Sequence, residues 1–220
     1  MYIFIHTKKW VIYDQQPLIY NLDIPKGNFK VIRKTNQLYE ESEIMKISSE
    51  AIVNGIIQDR YGKRGQVFKN KLGEVKKEFD HGCIPTNSIP VKIEEAPKNT
   101  VSYCIFIEDK DAIPVCGFSW IHWAVANLTK NEIKDNESIN HKDFVQGVNS
   151  WYGAVYGFEK ENAIGYGGMT PPDRAHKYHI KVYAIDIILD LKDGFFVNDL
   201  FKAMEGHVIE KAVISGMYNN

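Results

Sequence analysis

Three apolar runs constrain this chain more than anything else in it. Residues 101–107 (VSYCIFI), 121–128 (IHWAVANL) and 178–189 (YHIKVYAIDIIL) are rich in β-branched and aromatic side chains and are bounded by polar or Gly/Pro-containing stretches, the pattern of buried strands. In the third run Tyr178, Ile180, Val182 and Ala184 fall on one face at the two-residue period of a strand. The connections carry Gly165–Tyr166–Gly167–Gly168 and Pro171–Pro172, with none of the strand–helix alternation of a parallel α/β fold. The chain is therefore expected to be mostly β. A helix is expected to close the chain, where Leu200, Phe201, Met204 and Val208 make an apolar stripe and Asn198 or Asp199 stands ready as its cap.

At 220 residues the chain is long enough for one sizeable core or at most two small ones. Residues 1–44 show no clean period, with turn signals near Asp23, Pro25 and Gly27, and a tidier pattern starts at Met45. The expected organisation is an extension over 1–44, of unassigned role, and a domain over 45–220. Asn54–Gly55 marks a turn between short apolar segments. Between residues 61 and 78 the chain turns basic, with Lys63, Arg64, Lys69, Lys71, Lys76 and Lys77 interrupted by Gly62, Gly65 and Gly73; this stretch reads as a long solvated excursion.

A net charge of −1 argues against a nucleic-acid or membrane-surface partner. No apolar stretch reaches the ~18–20 residues that span a bilayer, and Lys8, Lys9 and Asp14 break up the first apolar residues, so no secretory signal is expected and a cytoplasmic address is. Cys83, Cys104 and Cys116 are odd in number and lack CxxC spacing. They suit neither a disulfide scaffold nor a structural zinc site, and Cys104 reads as a small buried hydrophobe.

Polar clusters stand at the ends of the three runs. Glu108–Asp109–Lys110–Asp111 leaves the first, and Asp109 and Asp111 would point the same way in extended backbone. His122 lies between Trp120 and Trp123 in the second, and His176 and Tyr178 share a face at the start of the third. The Gly167–Pro172 segment before it offers backbone N–H groups as an anion nest. Taken singly, each has an ordinary structural explanation: a loop-fixing acid pair, a core histidine, a rigid turn. Two carboxylates and two histidines would also suit a divalent metal, though no closely spaced ligand pair is present.

Together these elements resemble the phosphatidylethanolamine-binding protein family. The run DKDAIPVCGFSWIHWAVANL resembles the family's D-P-D-A-P element and its Trp/His-rich strand, and NSWYGAVYGFEKENAIGYGGMTPPDRAHKYHIKVYAID resembles the N-D-F-G, Y-G-G-P-x-P-P and H-R-Y elements. ISSEAIVNGIIQDRYG and PTNSIPVKIEEAP fit the opening hairpin and the N-x-S-P-P-L element, and FKAMEGHVIEKAVISGMY resembles the closing segment of the bacterial, Raf kinase inhibitor-like branch. The resemblance runs from about Met45 to Tyr218. It implies a Greek-key β-sandwich with a C-terminal helix and short peripheral helices. It also implies a pocket for phosphate-like anions formed by Asp109, Asp111, His122, Gly168, Thr170, Pro171, His176 and Tyr178. Lys110 stands in place of the family's proline, Met169 in place of that of Y-G-G-P, Lys177 in place of arginine, and Trp151–Tyr152 in place of Asp–Phe.

Two classes of function follow. One is a non-catalytic binding or regulatory module without cofactor, taking a phosphorylated small molecule, a phosphorylated residue or a phosphoethanolamine-type head group, with a kinase or protease as protein partner and a homodimer as its assembly. In that reading Asp109 and Asp111 organise the pocket, while His122, Tyr178 and the amides near Thr170 hold the anion. The other is a small hydrolase using Asp109, Asp111 and His122 as acid and base, with or without a metal. No G-x-S-x-G or P-loop accompanies it.

Overall fold

The computed structural model describes residues 3–6, 9–12 and 44–220 of the chain. The chain divides into two compact units, Met1–Tyr39 and Glu40–Asn220. In the first, Ile3–His6 and Lys9–Ile12 pair antiparallel, Ile3 opposite Ile12. The turn expected near residues 23–27 lies outside the described residues.

The second unit is built around a seven-stranded sheet, in the order Val145–Gln146, Trp120–Leu128, Ser102–Asp109, His176–Ile185, Val208–Tyr218, Ile56–Ile57 and Ile52–Val53. The three expected runs form three adjacent, antiparallel strands of it. Alternation along them divides the sheet's two faces. Ile105, Ile107, Trp123, Val125, Ile180 and Val182 are fully buried against Val91, Ile93 and Ile133, which belong to a three-stranded sheet of Glu132–Ile133, Val91–Glu94 and Lys46–Ser48. Cys104, Phe106, Ala124, Ala126 and Tyr183 face the other way, onto Leu200 and Met204 of the helix Val197–Met204. Burial pushes the Cys104 thiol up to about 12, so it behaves as the small hydrophobe expected of it. All three cysteines are free.

Three local expectations change. The helix begins after Phe196, which makes no side-chain cap, and Asn198 and Asp199 lie inside its first turn. The chain closes on an eleven-residue strand, Val208–Tyr218, paired along its length with His176–Ile185. The basic stretch is not a loop: Phe68–Asn70 pairs with Val75–Lys76 and with Cys83–Pro85 as a small antiparallel sheet. Phe68, Cys83 and Ile84 are buried, while Leu72 and Val75 are exposed. The Asn54–Gly55 turn is as expected, both residues at positive φ (51° and 79°) between paired two-residue strands, the conformation a tight hairpin demands.

Candidate functional site

The site grows from the ends of three neighbouring strands. Asp109, the last residue of its strand, lies opposite Trp120 on one side and Tyr178 on the other. Residues directly opposite in antiparallel strands share a face, so these three side chains meet. His122 joins them through a register shift. Ile107 pairs with Trp123 but Glu108 pairs with Ile121, which leaves His122 as the extra residue of a β-bulge. A bulge re-aims a side chain at the cost of one ladder position. Here it turns both His122 and Trp123 to the inner face, where strict alternation would have separated them, and sends Ile121 to the outer face.

Asp109 and Asp111 both address the start of the His176–Ile185 strand. Asp109 Oδ2 lies 2.7 Å from His176 Nδ1, and Asp109 Oδ1 accepts from the Ala112 N–H at 3.2 Å. His176 Nε2 lies 2.7 Å from Asp173 Oδ1, and this contact holds the Asp173 carboxyl below its ordinary range. Asp111 Oδ2 accepts from the Lys177 N–H at 2.9 Å, with Arg174 3.6 Å from its other oxygen. Both acids and His176 thus tie the Asp109–Ala112 turn to the Asp173–Lys177 segment. The Lys110 ammonium lies 3.5 Å from Glu108.

Three of the four N–H groups of the Gly167–Pro172 segment are engaged within the protein and so are not free for the anion nest expected of it. The Gly167 N–H donates to the His122 carbonyl (2.8 Å), the Gly168 N–H to Pro85 (2.8 Å) and the Met169 N–H to Tyr61 (3.2 Å). These contacts make the segment a rigid wall instead. A Cβ at Gly167 would sit 2.5 Å from the Trp151 ring, and one at Gly168 would sit 2.4 Å from the Tyr61 carbonyl oxygen, so only glycine admits the approach. Gly168 therefore packs against the Tyr61 backbone and Pro85.

A cavity of about 210 Å³ opens at this point. Asp109, Trp120, His122, Thr170 and Tyr178 line it, with Ala112, Val115, Cys116, Val155, Tyr156 and Pro172 as its more apolar wall. Three of these residues bring to it a buried polar atom with no protein partner: Trp120 Nε1, His122 Nε2 and Tyr178 Oη. An orphaned polar atom in a folded interior costs about 1–3 kcal/mol, and three of them meet in this one cavity. The rings are held edge to face, His122 against Tyr178 at 5.1 Å and against Trp151 at 5.5 Å between centroids, and Trp120 against Trp151 at 5.2 Å. Burial pushes the His122 pKa down, against the pull of the Asp109 carboxylate. Burial and Asp109 together push the Tyr178 hydroxyl far up, so it stays a donor.

Of the eight residues singled out in the sequence, Asp109, His122, Thr170 and Tyr178 line this cavity. His176 and Asp111 brace it from behind through Asp109 and the Lys177 amide, and Gly168 packs away from it against Tyr61 and Pro85. Pro171 lines a second cavity of about 200 Å³, reached across Tyr156, Thr170 and Pro172 and floored by Lys63, Phe79, His81, Cys83 and Trp151. Trp120, Tyr156 and Asp173 were missed. Trp120 sits two residues before His122, and Asp173 three before His176, but neither spacing signals a contact until the register is known. Among the described residues no group of three or more His, Cys, Asp or Glu side chains is placed to hold a metal ion, and no helix is long and apolar enough to cross a membrane.

Comparison with known proteins bears on the family and the fold. YxkA of Bacillus subtilis is 34% identical over 165 residues, which cover 73% of this chain and 92% of that protein. The UPF0098 protein PH1269 of Pyrococcus horikoshii is 37% identical over 135 residues, 59% of this chain and 63% of that one. The crystal structure of CT736, a phosphatidylethanolamine-binding protein homolog from Chlamydia trachomatis, matches 80% of this chain and 98% of its own at a TM-score of 0.61 and 27% identity. That of Escherichia coli YbcL matches 81% and 99% at a TM-score of 0.60 and 21% identity, a likeness of fold. The family model for phosphatidylethanolamine-binding proteins matches residues 48–219, a span holding every strand of the seven-stranded sheet and every residue lining the cavity, and the chain belongs to that family.

Proposed function

We propose that this chain is a non-catalytic binding protein whose cavity takes a small phosphate-like head group. The observation that carries the reading is the trio of unpartnered polar atoms on Trp120, His122 and Tyr178 within one cavity. At about 210 Å³ the space is smaller than the ~300–1,000 Å³ of sites for drug-sized ligands, which suits a head group rather than a whole cofactor. The nearest carboxylate, Asp109, already accepts from His176 and Ala112, which blunts its repulsion of an anion. A phosphorylated side chain is one such head group, and a regulatory role towards a kinase or protease would act through it.

Tyr178→Phe tests the reading because it moves binding and stability in opposite directions. It removes a donor from the ligand, so phosphate or phosphoethanolamine affinity, expected in the high-micromolar to millimolar range for a few hydrogen bonds to a well-hydrated ion, should fall about ten- to a hundredfold. It also removes an orphaned buried hydroxyl from the ligand-free protein, so the melting temperature should hold or rise. Calorimetric titration and thermal melts of both proteins read the two effects. Unchanged affinity with the fold intact would place the ligand elsewhere. Phosphatase or esterase turnover that EDTA abolishes would favour a metal-assisted hydrolase instead.

A further inference from the structure

The two ring nitrogens of His122 are not equivalent. Nδ1 lies 2.7 Å from the Gly167 carbonyl oxygen. A carbonyl only accepts, so Nδ1 carries the proton of the neutral ring and Nε2 presents a bare lone pair. No protein group meets that lone pair. The ring is 2% exposed, and the desolvation of burial holds it neutral.

The surroundings do not reverse this. The Asp109 carboxylate, from the Ser102–Asp109 strand, and the Gly167 and Gly168 backbone carbonyls favour protonation of the ring, His176 from the His176–Ile185 strand opposes it, and burial outweighs the three. Asp109 Oδ2 is held by His176 at 2.7 Å, and His176 is held by Asp173 at 2.7 Å on its far side. Tyr178 on the same strand, Cys116 from the short helix Ile113–Cys116 and Tyr156 from the loop opposite are the other titratable groups of the cavity, and its lining holds neither lysine nor arginine. Among the cavity's buried polar atoms that lack a protein partner, a ligand therefore meets two donors, Tyr178 Oη–H and Trp120 Nε1–H, beside one acceptor, His122 Nε2.

We infer that the pocket selects a phosphoryl group in its singly protonated form, whose P–OH donates to His122 Nε2 while its bare oxygens accept from Tyr178 and Trp120. This rests on the anion-pocket reading above and sharpens it to one protonation state. A fully deprotonated tetrahedral anion of the same size has no hydrogen to offer and would set an oxygen lone pair against that of Nε2. A site built around a ligand hydroxyl discriminates strongly against the analogue that lacks it, because its own polar group is then left unpaired. For one hydrogen bond to a charged partner the expected margin is about ten- to a hundredfold. Affinity for a phosphate monoester should also fall by about tenfold per pH unit above its second pKa, about 6, where the dianion takes over.

Calorimetric titration of the full-length protein with inorganic phosphate and with sulfate at pH 6 and pH 8 is the test. The expected result is phosphate bound at least about tenfold more tightly than sulfate, with phosphate weakening from pH 6 to pH 8. In His122→Gln, whose amide can turn an N–H towards the ligand, the preference for phosphate should shrink towards unity. Nitrogen NMR of the wild-type imidazole reads the same protonation state without a variant: Nε2 should remain unprotonated in the phosphate complex. Equal affinity for the two ions, phosphate tightening with rising pH, or an Nε2 that gains a proton on binding would each overturn the selection and leave the anion pocket standing. Binding of neither ion at tens of millimolar would remove the pocket reading, and this inference with it.

Discussion

At the scale of single residues, the site is held by groups that other groups have already committed. His176 is occupied at both nitrogens by Asp109 and Asp173, and Asp111 by the Lys177 amide, so they shape the cavity without being free to bind in it. His122 differs, because one nitrogen is fixed and the other is open. Its buried ring carries a testable pH signature in the ligand-free protein. The folded pKa lies below the ordinary value of 6.5, so between those two values the unfolded chain binds a proton that the folded protein does not. Stability should therefore be complete above about pH 6.5 and fall as the pH drops towards the folded value, with a slope of at most about 1.36 kcal/mol per pH unit from this one group. His122→Gln cannot titrate and should lose less stability than wild type between pH 7 and pH 5. Denaturant melts across that range compare the two directly, and parallel curves would mean that His122 titrates as an exposed histidine does.

At the scale of elements, the strands that carry the site are clamped together on the sheet's opposite face. Glu108 is largely buried, and its carboxylate pairs with Lys181 of the next strand and accepts from Ser119 Oγ at 3.1 Å. Burial pushes the Glu108 pKa up, but the contacts with Lys181 and Ser119 outweigh it and hold the carboxyl below its ordinary 4.5. Such a group stabilises the fold while ionised, and its contribution is lost as the pH falls below 4.5 towards the folded value. Glu108→Gln should cost about 1.5–3 kcal/mol at pH 7, the scale of a hydrogen bond to a charged partner, and the difference from wild type should shrink in acid. Urea melts at pH 7 and pH 3.5 decide this, and a deficit that persists undiminished at pH 3.5 would point to packing rather than charge. The same strands show how far the sequence could be read. Tyr178, Ile180, Val182 and Ala184 share a buried face as their alternation required, because that face packs on the core while Lys177 on the other is exposed and His179 and Lys181 are half-buried. His122 could not be placed by alternation, since the bulge that seats it lies in the pairing of two strands and leaves no mark on one. The pairing of Asp109 with His176 spans 67 residues and needs the register. The Phe68–Asn70 sheet was hidden by two- and three-residue strands with lysines on an exposed edge, and Val208–Tyr218 by a burial pattern that never settles into a clean period.

At the scale of the whole chain, the question is what the cavity requires in order to exist. Among the described residues, the three apolar clusters of the second unit are assembled from residues between Met45 and Tyr218, and the family match begins at residue 48. Met45 itself is fixed, its side chain buried and its N–H donating to Glu210 Oε1 at 2.9 Å, which ties the start of the domain to its closing strand. A chain that begins at Glu40, the first residue of the second compact unit, keeps that bond as a peptide N–H. It should unfold cooperatively, with a melting temperature within a few degrees of the full chain, since about 1 kcal/mol moves the midpoint of a domain this size by ~2–4 °C. It should also bind phosphate as the full chain does, because the described residues that line the cavity begin at Asp109. A second truncation, beginning at Met45, turns the same nitrogen into an ammonium facing the Glu210 carboxylate and should be tolerated equally well. Calorimetric melts and phosphate titrations of the three chains separate the possibilities. Loss of cooperativity in both truncated chains would make residues 1–39 part of one folding unit with the rest. Loss in the Met45 chain alone would show that residues 40–44 complete the edge on which Met45 is held.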